Sequence, residues 1–379
     1  MATAKRSWSA CIACGLGLMS LLGVIAFHFP GLLTSQQFRA VYTEGFARTL
    51  LLIGLVAAFA LGTFAILTDR DRKIAFTGVL SAGLAVLLGG ATVRFNHIDQ
   101  TPFGLGLDWF LISLVISAIV FIPIERMMAV KPMSPLRPEW RTDMGYFFMS
   151  HLLFQFIFIA VTASTATVAA FAAFPPLRAF LQGLPVWVQF LMCVFFADLF
   201  QATLHRAYHK WGVLWRFHAV HHSSRNMDWL AGSRVHLVEI VLTRCSVLLP
   251  LVVLGFSANA VNAYVVLVGV QAVLAHANLK LNFGWLEYVI SSPRYHHWHH
   301  ARDEAYVDAN YAIHLPVIDM IMGTFRLPPK GEWPPEYGVM ELQSVPAGFW
   351  AQHAMPFGSK QTFERYVGEP EVAPLPAAE

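Results

Sequence analysis

Sixteen histidines stand in this chain of 379 residues, and eleven of them fall between residues 205 and 300. Three groups have a spacing that could hold metal. In His205-Arg-Ala-Tyr-His209 a separation of four places both imidazoles on one face of a helix, a turn apart, so two ligands can reach one ion. His218-Ala-Val-His221-His222 shares a face again at i, i+3 and i+4, and Tyr295-His296-His297-Trp298-His299-His300 holds the same pattern at His296, His299 and His300. Imidazole suits iron, zinc, copper and nickel, so ligand type does not choose the metal. Ligand number says more: a single zinc site takes three or four protein ligands, whereas eight histidines suffice for two ions. Two neighbouring ions with open positions can bind and cleave dioxygen, chemistry that side chains alone do not supply. Any one of these histidines taken singly reads as an interfacial residue at a helix end; eight in three spaced motifs do not. His28, His97, His151 and His353 match no spacing and are expected to be structural, while His297 and His314 stand near the motifs without fitting them.

The elements that must position these side chains belong to a membrane protein. Hydrophobic residues make up 56% of the chain and charged residues 13%, against roughly a quarter charged in an ordinary soluble domain. Apolar stretches long enough to span a bilayer are expected at about residues 9 to 33, 46 to 68, 74 to 93 and 106 to 124, then Met144 to Phe174 and Leu184 to Leu204. A membrane hairpin follows between Ile240 and Leu279, broken near Gly255-Phe-Ser-Ala-Asn. Lys5 and Arg6 before the first run resemble a signal peptide, but no small-residue cleavage site follows, and a retained first helix is the expectation. Basic residues in short loops stay cytoplasmic. Alternating spans put Lys5, Arg6, Arg70, Arg72, Lys73, Arg126, Lys131, Arg137 and Arg141 on one side, which sends every histidine cluster to the cytoplasmic face. The four cysteines all lie in apolar segments, so no disulfide framework is expected. Cys11-Ile-Ala-Cys14 is read as a chance pairing in a helix. The net charge of +3 is small and scattered, with no basic stripe for nucleic acid.

The chain is thus expected to be all-α: a multi-pass transmembrane helical bundle with a cytoplasmic histidine-rich helical cap holding a di-metal centre. Three regions are expected. Residues 1–128 would form an N-terminal transmembrane bundle, residues 129–328 the catalytic half, and residues 329–379 a peripheral tail rich in Pro, Glu and Ala. The proline-rich, basic stretch from Lys131 to Trp140 would divide the first two.

The three motifs, in this order and membrane setting, resemble the fatty acid hydroxylase and sterol desaturase superfamily over about Asp198 to Phe325. The resemblance implies that His205, His209, His218, His221, His222, His296, His299 and His300 are ligands of a di-iron centre. Arg234-Val-His236-Leu-Val-Glu239 resembles the family's Arg-x-His-Pro-x-Glu segment, and His276-Ala-Asn278 its His-x-Asn segment, which adds His276 and His236 as ligands. Asp198, Glu239 and Asn310 become outer partners, because ligating imidazoles usually donate their second ring proton to a carboxylate or carbonyl. Ser292-Pro293, Tyr311, Asp319 and Gly323-Thr324-Phe325 continue the likeness. Lys210, Leu237 and Ile318 depart from it without removing a ligand. The pattern around His222-Ser-Ser and Pro293 is also similar to the alkylglycerol monooxygenase group, and the subfamily stays open.

The activity so implied is hydroxylation or desaturation of a lipid, whether sterol, fatty acyl chain or ether lipid, with dioxygen as co-substrate. No dinucleotide-binding, P-loop or nucleophile-elbow motif is present. Electrons must then come from a separate donor, of cytochrome b5 or ferredoxin type, in a bacterial inner membrane or the endoplasmic reticulum. Two other classes compete. A zinc-dependent membrane hydrolase would keep a carboxylate beside the metal as base, and Glu239 is the only acid within a motif. A metal transporter would place its site at the bilayer midplane between interrupted helices, whereas these clusters lie beyond span ends.

Overall fold

The computed structural model describes residues 8–34, 43–68, 71–94, 106–153, 174–340 and 345–358, with positions 156–157, 160, 163–164 and 167–168. His97 and most of the expected fifth span, beyond position 153, lie outside the described residues. In chain order the helices are α1 (Trp8–His28), α2 (Pro30–Leu33), α3 (Glu44–Thr68), α4 (Arg72–Leu87), α5 (Leu107–Met127), α6 (Trp140–Leu152) and α7 (Pro175–Gly183). They continue as α8 (Val186–Lys210), α9 (Gly212–His222), α10 (Leu237–Leu254), α11 (Ala258–His276), α12 (Pro293–His299), α13 (Pro316–Met322) and α14 (Phe349–Ala354). Among the described residues the only bridge between extended segments is the isolated pair Ala301 and Tyr337. Seven helices there are long and apolar enough to cross a membrane: α1, α3, α4 with its continuation to Thr92, α5, α8, α10 and α11.

The chain forms two compact units, Met1–Val115 with His151–Ile159, and Ile116–Ser150 with Ala160–Glu379. In the first, α1, α3 and α4 pack through small residues. Ala10, Ala13, Gly17 and Ser20 on α1 are buried, as are Ala75, Gly78, Ala82 and Ala85 on α4. Side chains this small let backbones touch, which is how helices gain van der Waals contact where lipid removes the hydrophobic drive. A Cβ on Gly17 would meet the Gly78 carbonyl oxygen at 2.1 Å, and one on Gly78 would meet the Ala13 backbone at 2.5 Å.

In the second unit α8 is the central strut, in contact with α9, α10, α11 and α13. The hairpin break falls where the sequence puts it. Gly255, at φ 97°, closes α10, and the Ser257 hydroxyl accepts the Ala260 N–H to open α11. The stretch from Lys131 to Trp140 lies inside this unit and is bound to it. The Asn278 side chain accepts the Val130 and Lys131 N–H groups and donates to the Lys131 carbonyl, and Arg137 makes a two-pronged bond to buried Asp228.

Candidate metal centre

Four helices deliver the imidazoles. His205 and His209 occupy the last two turns of α8; after Trp211 the chain reverses into α9, which ends on His218, His221 and His222. His276 is the last residue of α11. The Ser292 hydroxyl accepts the Tyr295 N–H and Pro293 follows, a start that suits the first turn of a helix, so α12 carries His296 and His299 with His300 at its end. Nine of these side chains meet in two buried groups whose ligand atoms lie within 4.8 Å of one another: His205, His209, His218, His222 and His299, and His221, His276, His296 and His300. The second and third motifs are each split between the groups.

Inside each group the Nε2 atoms converge. His205 to His218 is 3.0 Å, His218 to His222 3.1 Å and His222 to His299 3.1 Å. In the other group His221 to His276 is 3.2 Å, His276 to His296 3.0 Å and His296 to His300 3.1 Å. The opposite nitrogens fix the protons. Nδ1 of His205, His221, His276 and His299 donates to the carbonyls of Tyr311, Arg234, Ala272 and Ala309, and a carbonyl can only accept. Nδ1 of His218 pairs with Glu239 Oε1 at 2.7 Å. His221 and His276 are both so held, so their bare lone pairs face one another and their Nε2 contact is not a hydrogen bond. A cation at the centre relieves that repulsion: nitrogens about 2.1 Å from one ion, at right angles, stand roughly 3.0 Å apart. Burial and neighbouring imidazoles hold His218, His221, His222, His296, His299 and His300 well below the usual histidine range, which keeps the donors deprotonated. The Nε2 of His209 is likewise buried without a hydrogen-bond partner. The donor set therefore fits two metal ions, five imidazoles on one and four on the other.

The surrounding layer is largely backbone. Asp198 was expected to take a proton from a ligand. Instead its carboxylate accepts the N–H groups of Ile313, His314 and Leu315, because two turns separate it from His205 along α8. Asp319 accepts those of Tyr311 and Ala312. The Asn310 amide donates to the Tyr295 and Arg326 carbonyls, and its own φ is 62°. These bonds fix the loop whose Ala309 and Tyr311 carbonyls orient His299 and His205. Glu239 is the one outer partner foreseen that touches an imidazole directly.

His236 does not join either group. It caps α10, with Nδ1 accepting the Val238 N–H and Nε2 donating to the His353 carbonyl, so both ring nitrogens are used by backbone. His297 also stays outside: its Nε2 donates to the His276 and Ala277 carbonyls, and its Nδ1 accepts the Tyr337 hydroxyl. His314 packs edge-on against Tyr264. Of the isolated histidines, His28 bonds the Leu88 carbonyl, His151 stacks on Trp109 and His353 lies on Tyr146 and Phe349.

Sequence reasoning missed Asp308, whose Oδ1 lies 3.4 Å from His209 Nδ1 while Oδ2 accepts from Lys210. Burial pushes Asp308 up, but the bonds from His209 and Lys210 more than offset it and bring it down to about 2. Its left-handed φ of 61°, two residues from that of Asn310, is the signal an Asp-Ala-Asn turn could have given. Also missed was the buried network in which Arg234 binds Asp143 and Glu139 while Arg137 bridges Asp143 and Asp228. It anchors the strand of chain whose Arg234 carbonyl holds His221.

Residues 190–324 match the family model for fatty acid hydroxylase. Ornithine lipid hydroxylase OlsE of Rhizobium tropici is 31% identical over 182 residues, 46% of this chain and 52% of that protein. Alkylglycerol monooxygenase of Caenorhabditis elegans is 26% identical over 155 residues, 41% of this chain and 30% of its own. Very-long-chain aldehyde decarbonylase GL1-1 of Oryza sativa subsp. indica is 30% identical over 173 residues, 41% of this chain and 27% of its own. The alignments thus span about half of the first relative and under a third of the other two. No solved structure matches. The matched segment carries all nine converging histidines, and it is over this segment that the chain is similar to the fatty acid hydroxylase family.

Proposed function

We propose that the chain is a membrane-bound, dioxygen-dependent hydroxylase acting on a long aliphatic chain of a membrane lipid, with one iron ion in each histidine group. The observation that carries this reading is the pair of buried groups whose Nε2 atoms converge at 3.0 to 3.2 Å. Two of the three relatives are named for hydroxylation or monooxygenation of lipids, which favours insertion of oxygen over desaturation. The balanced reaction is R–H + O2 + 2e⁻ + 2H⁺ → R–OH + H2O. Bound iron would supply the redox chemistry on dioxygen that an all-imidazole site suits.

The chain's own residues do the rest. The carbonyls of Tyr311, Arg234, Ala272 and Ala309 and the Glu239 carboxylate fix each ring's tautomer and direction, which is how outer partners tune a ligand. Burial of all nine imidazoles keeps bulk water from competing for them. Two electrons per turnover call for a separate donor of cytochrome b5 or ferredoxin type, docking on the face where the spans end in histidines. Basic loop residues such as Arg72, Lys73, Arg126, Arg137 and Arg141 favour that face being cytoplasmic. His205, His209, His218, His221, His222, His276, His296, His299 and His300 are the ligands in this reading. Glu239 and Asp308 act directly on imidazoles, while Asp198 and Asn310 act through the loop they hold.

The test is metal analysis of the purified protein together with oxygen-dependent turnover of a lipid extract, with His221→Ala as control. Two irons per chain and a hydroxylated product that disappears in the variant are expected. One zinc per chain with hydrolytic activity would instead identify a zinc-dependent membrane hydrolase, and bound metal that exchanges across the bilayer without lipid turnover a transporter.

A further inference from the structure

The spans α8 and α11 both bring ligands toward one level, His205 five residues from the end of α8 and His276 at the end of α11. The chain beyond the third histidine motif leaves that level. Asp198, which binds the N–H groups of Ile313, His314 and Leu315 at 2.9, 3.1 and 2.6 Å, lies midway along α8, twelve residues or about 18 Å from either end. The His314 ring sits 5.7 Å from that of Tyr264, which is twelve residues or about 18 Å from His276 on α11. Ile318 of α13 packs on Ala202, with Leu199 alongside. Measured from the level of the ligands, the backbone of residues 313–315 lies about 10 Å down α8, seven residues from His205, and the His314 ring reaches about 18 Å down α11, twelve residues from His276, so both spans place this stretch inside their length.

Irregular backbone is tolerated at membrane depth only if its polar groups are satisfied within the protein. Here five consecutive N–H groups end on two fully buried carboxylates, Tyr311 and Ala312 on Asp319 and the next three on Asp198. The Tyr311 carbonyl takes His205 Nδ1 and the His314 carbonyl takes the Ser291 N–H. The outer side of α13 is apolar and uncovered: Ile321 is 75% exposed, Val317 41% and Met320 39%. The neighbouring turn Gly284–Tyr288 presents Trp285 and Tyr288, exposed by 72% and 53%, the residue types that gather at a membrane–water boundary.

We propose that residues 311–322 form a re-entrant segment that dips into the bilayer beside α8 and α11, its outer face covered by lipid acyl chains and Trp285 and Tyr288 riding near headgroup level. The loop that orients His205 and His299 is then continuous with a lipid-contacting wall. Depth can be read by nitroxide labels on Ile321→Cys and, separately, Val317→Cys, in full-length protein with the four native cysteines changed to Ala, reconstituted in liposomes. Leu191→Cys on the lipid-exposed side of α8 and Arg302→Cys on a polar loop are the references. Both test labels should match Leu191 in their ratio of collision with oxygen over a water-soluble nickel chelate, on the order of tenfold above Arg302. A ratio like that of Arg302 overturns the proposal, and so does protection from both agents, which would mean a protein surface covers the face. Quenching of Trp285 by brominated lipids, read as the difference between the unlabelled protein and Trp285→Phe, gives a label-free check; no quenching contradicts the proposal. The labels report depth in metal-free protein as well as loaded protein, so failure here is distinguishable from failure of the hydroxylase reading.

Discussion

His221 and His276 face each other through nitrogens that both lack a proton, because each ring's other nitrogen is committed to a carbonyl. Removing one, as in His221→Ala, should lower bound metal from two ions to one per chain and cut lipid turnover by more than about a hundredfold, since even outer partners of a metal ligand are worth 10- to 100-fold. Metal analysis and turnover on the same preparation check this. Asp308→Asn and Glu239→Gln touch only the five-histidine group, through His209 and His218. Each should weaken one of the two metal-binding steps by roughly 10- to 100-fold and leave the other unchanged; competition with a chelator resolves the steps. pH acts in one direction. His218, His221, His222, His296, His299 and His300 are held well below 6.5 by burial and by one another. The unfolded chain therefore binds more protons than the folded one once pH falls below 6.5, and stability of the metal-free protein drops from there toward the lower folded values. Metal should be released over the same window, because imidazole must be neutral to bind. Melting curves that stay flat from about pH 7 to pH 5 would contradict the buried neutral cluster. At this scale the sequence marked the converging imidazoles but, of their supports, only Glu239, since the atoms holding four of the rings are backbone carbonyls, which every residue has.

Helix spacing explains why nine imidazoles that converge were legible and why His236 stands apart from them. A motif such as His205-x3-His209 is closed within one turn of α8, so the sequence contains the whole of its geometry. His236 sits one residue before α10 begins, in extended backbone, where its ring caps the helix instead of pointing along a helical face. The same locality made the break at Gly255 and Ser257 readable. Packing between helices was less so. The contact of α1 with α4 depends on Gly17 and Gly78 meeting, two residues that look like ordinary glycines in apolar runs. Gly78→Leu would drive a side chain into the Ala13 backbone, and we expect destabilisation of about 1–3 kcal/mol or more, read as a lower melting temperature of the detergent-solubilised protein. Gly15→Ala on α1, where an added Cβ meets nothing within 4 Å, should bring no loss by that measurement.

Across the whole molecule, the membrane reading follows from apolar length, and the proposed direction of the loops rests on charge. A reporter joined after residue 379 should give a cytoplasmic signal if the basic loops are retained there; an external signal would overturn the orientation. The sequence by itself determined that this is a helical membrane protein with a histidine-rich centre, because hydropathy and i, i+4 spacing are local properties that survive without a fold. The partition of the imidazoles into groups of five and four was decided only in three dimensions. His222 meets His299 across 77 positions of chain and His276 meets His221 across 55, and nothing in the spacing of a motif says which ring will stand beside which. The loop from Asp308 to Leu315 is the other tertiary result. Its place depends on two carboxylates gathering backbone N–H groups, Asp319 from eight residues away and Asp198 from 115, bonds that apolar surroundings make strong and sequence leaves unmarked.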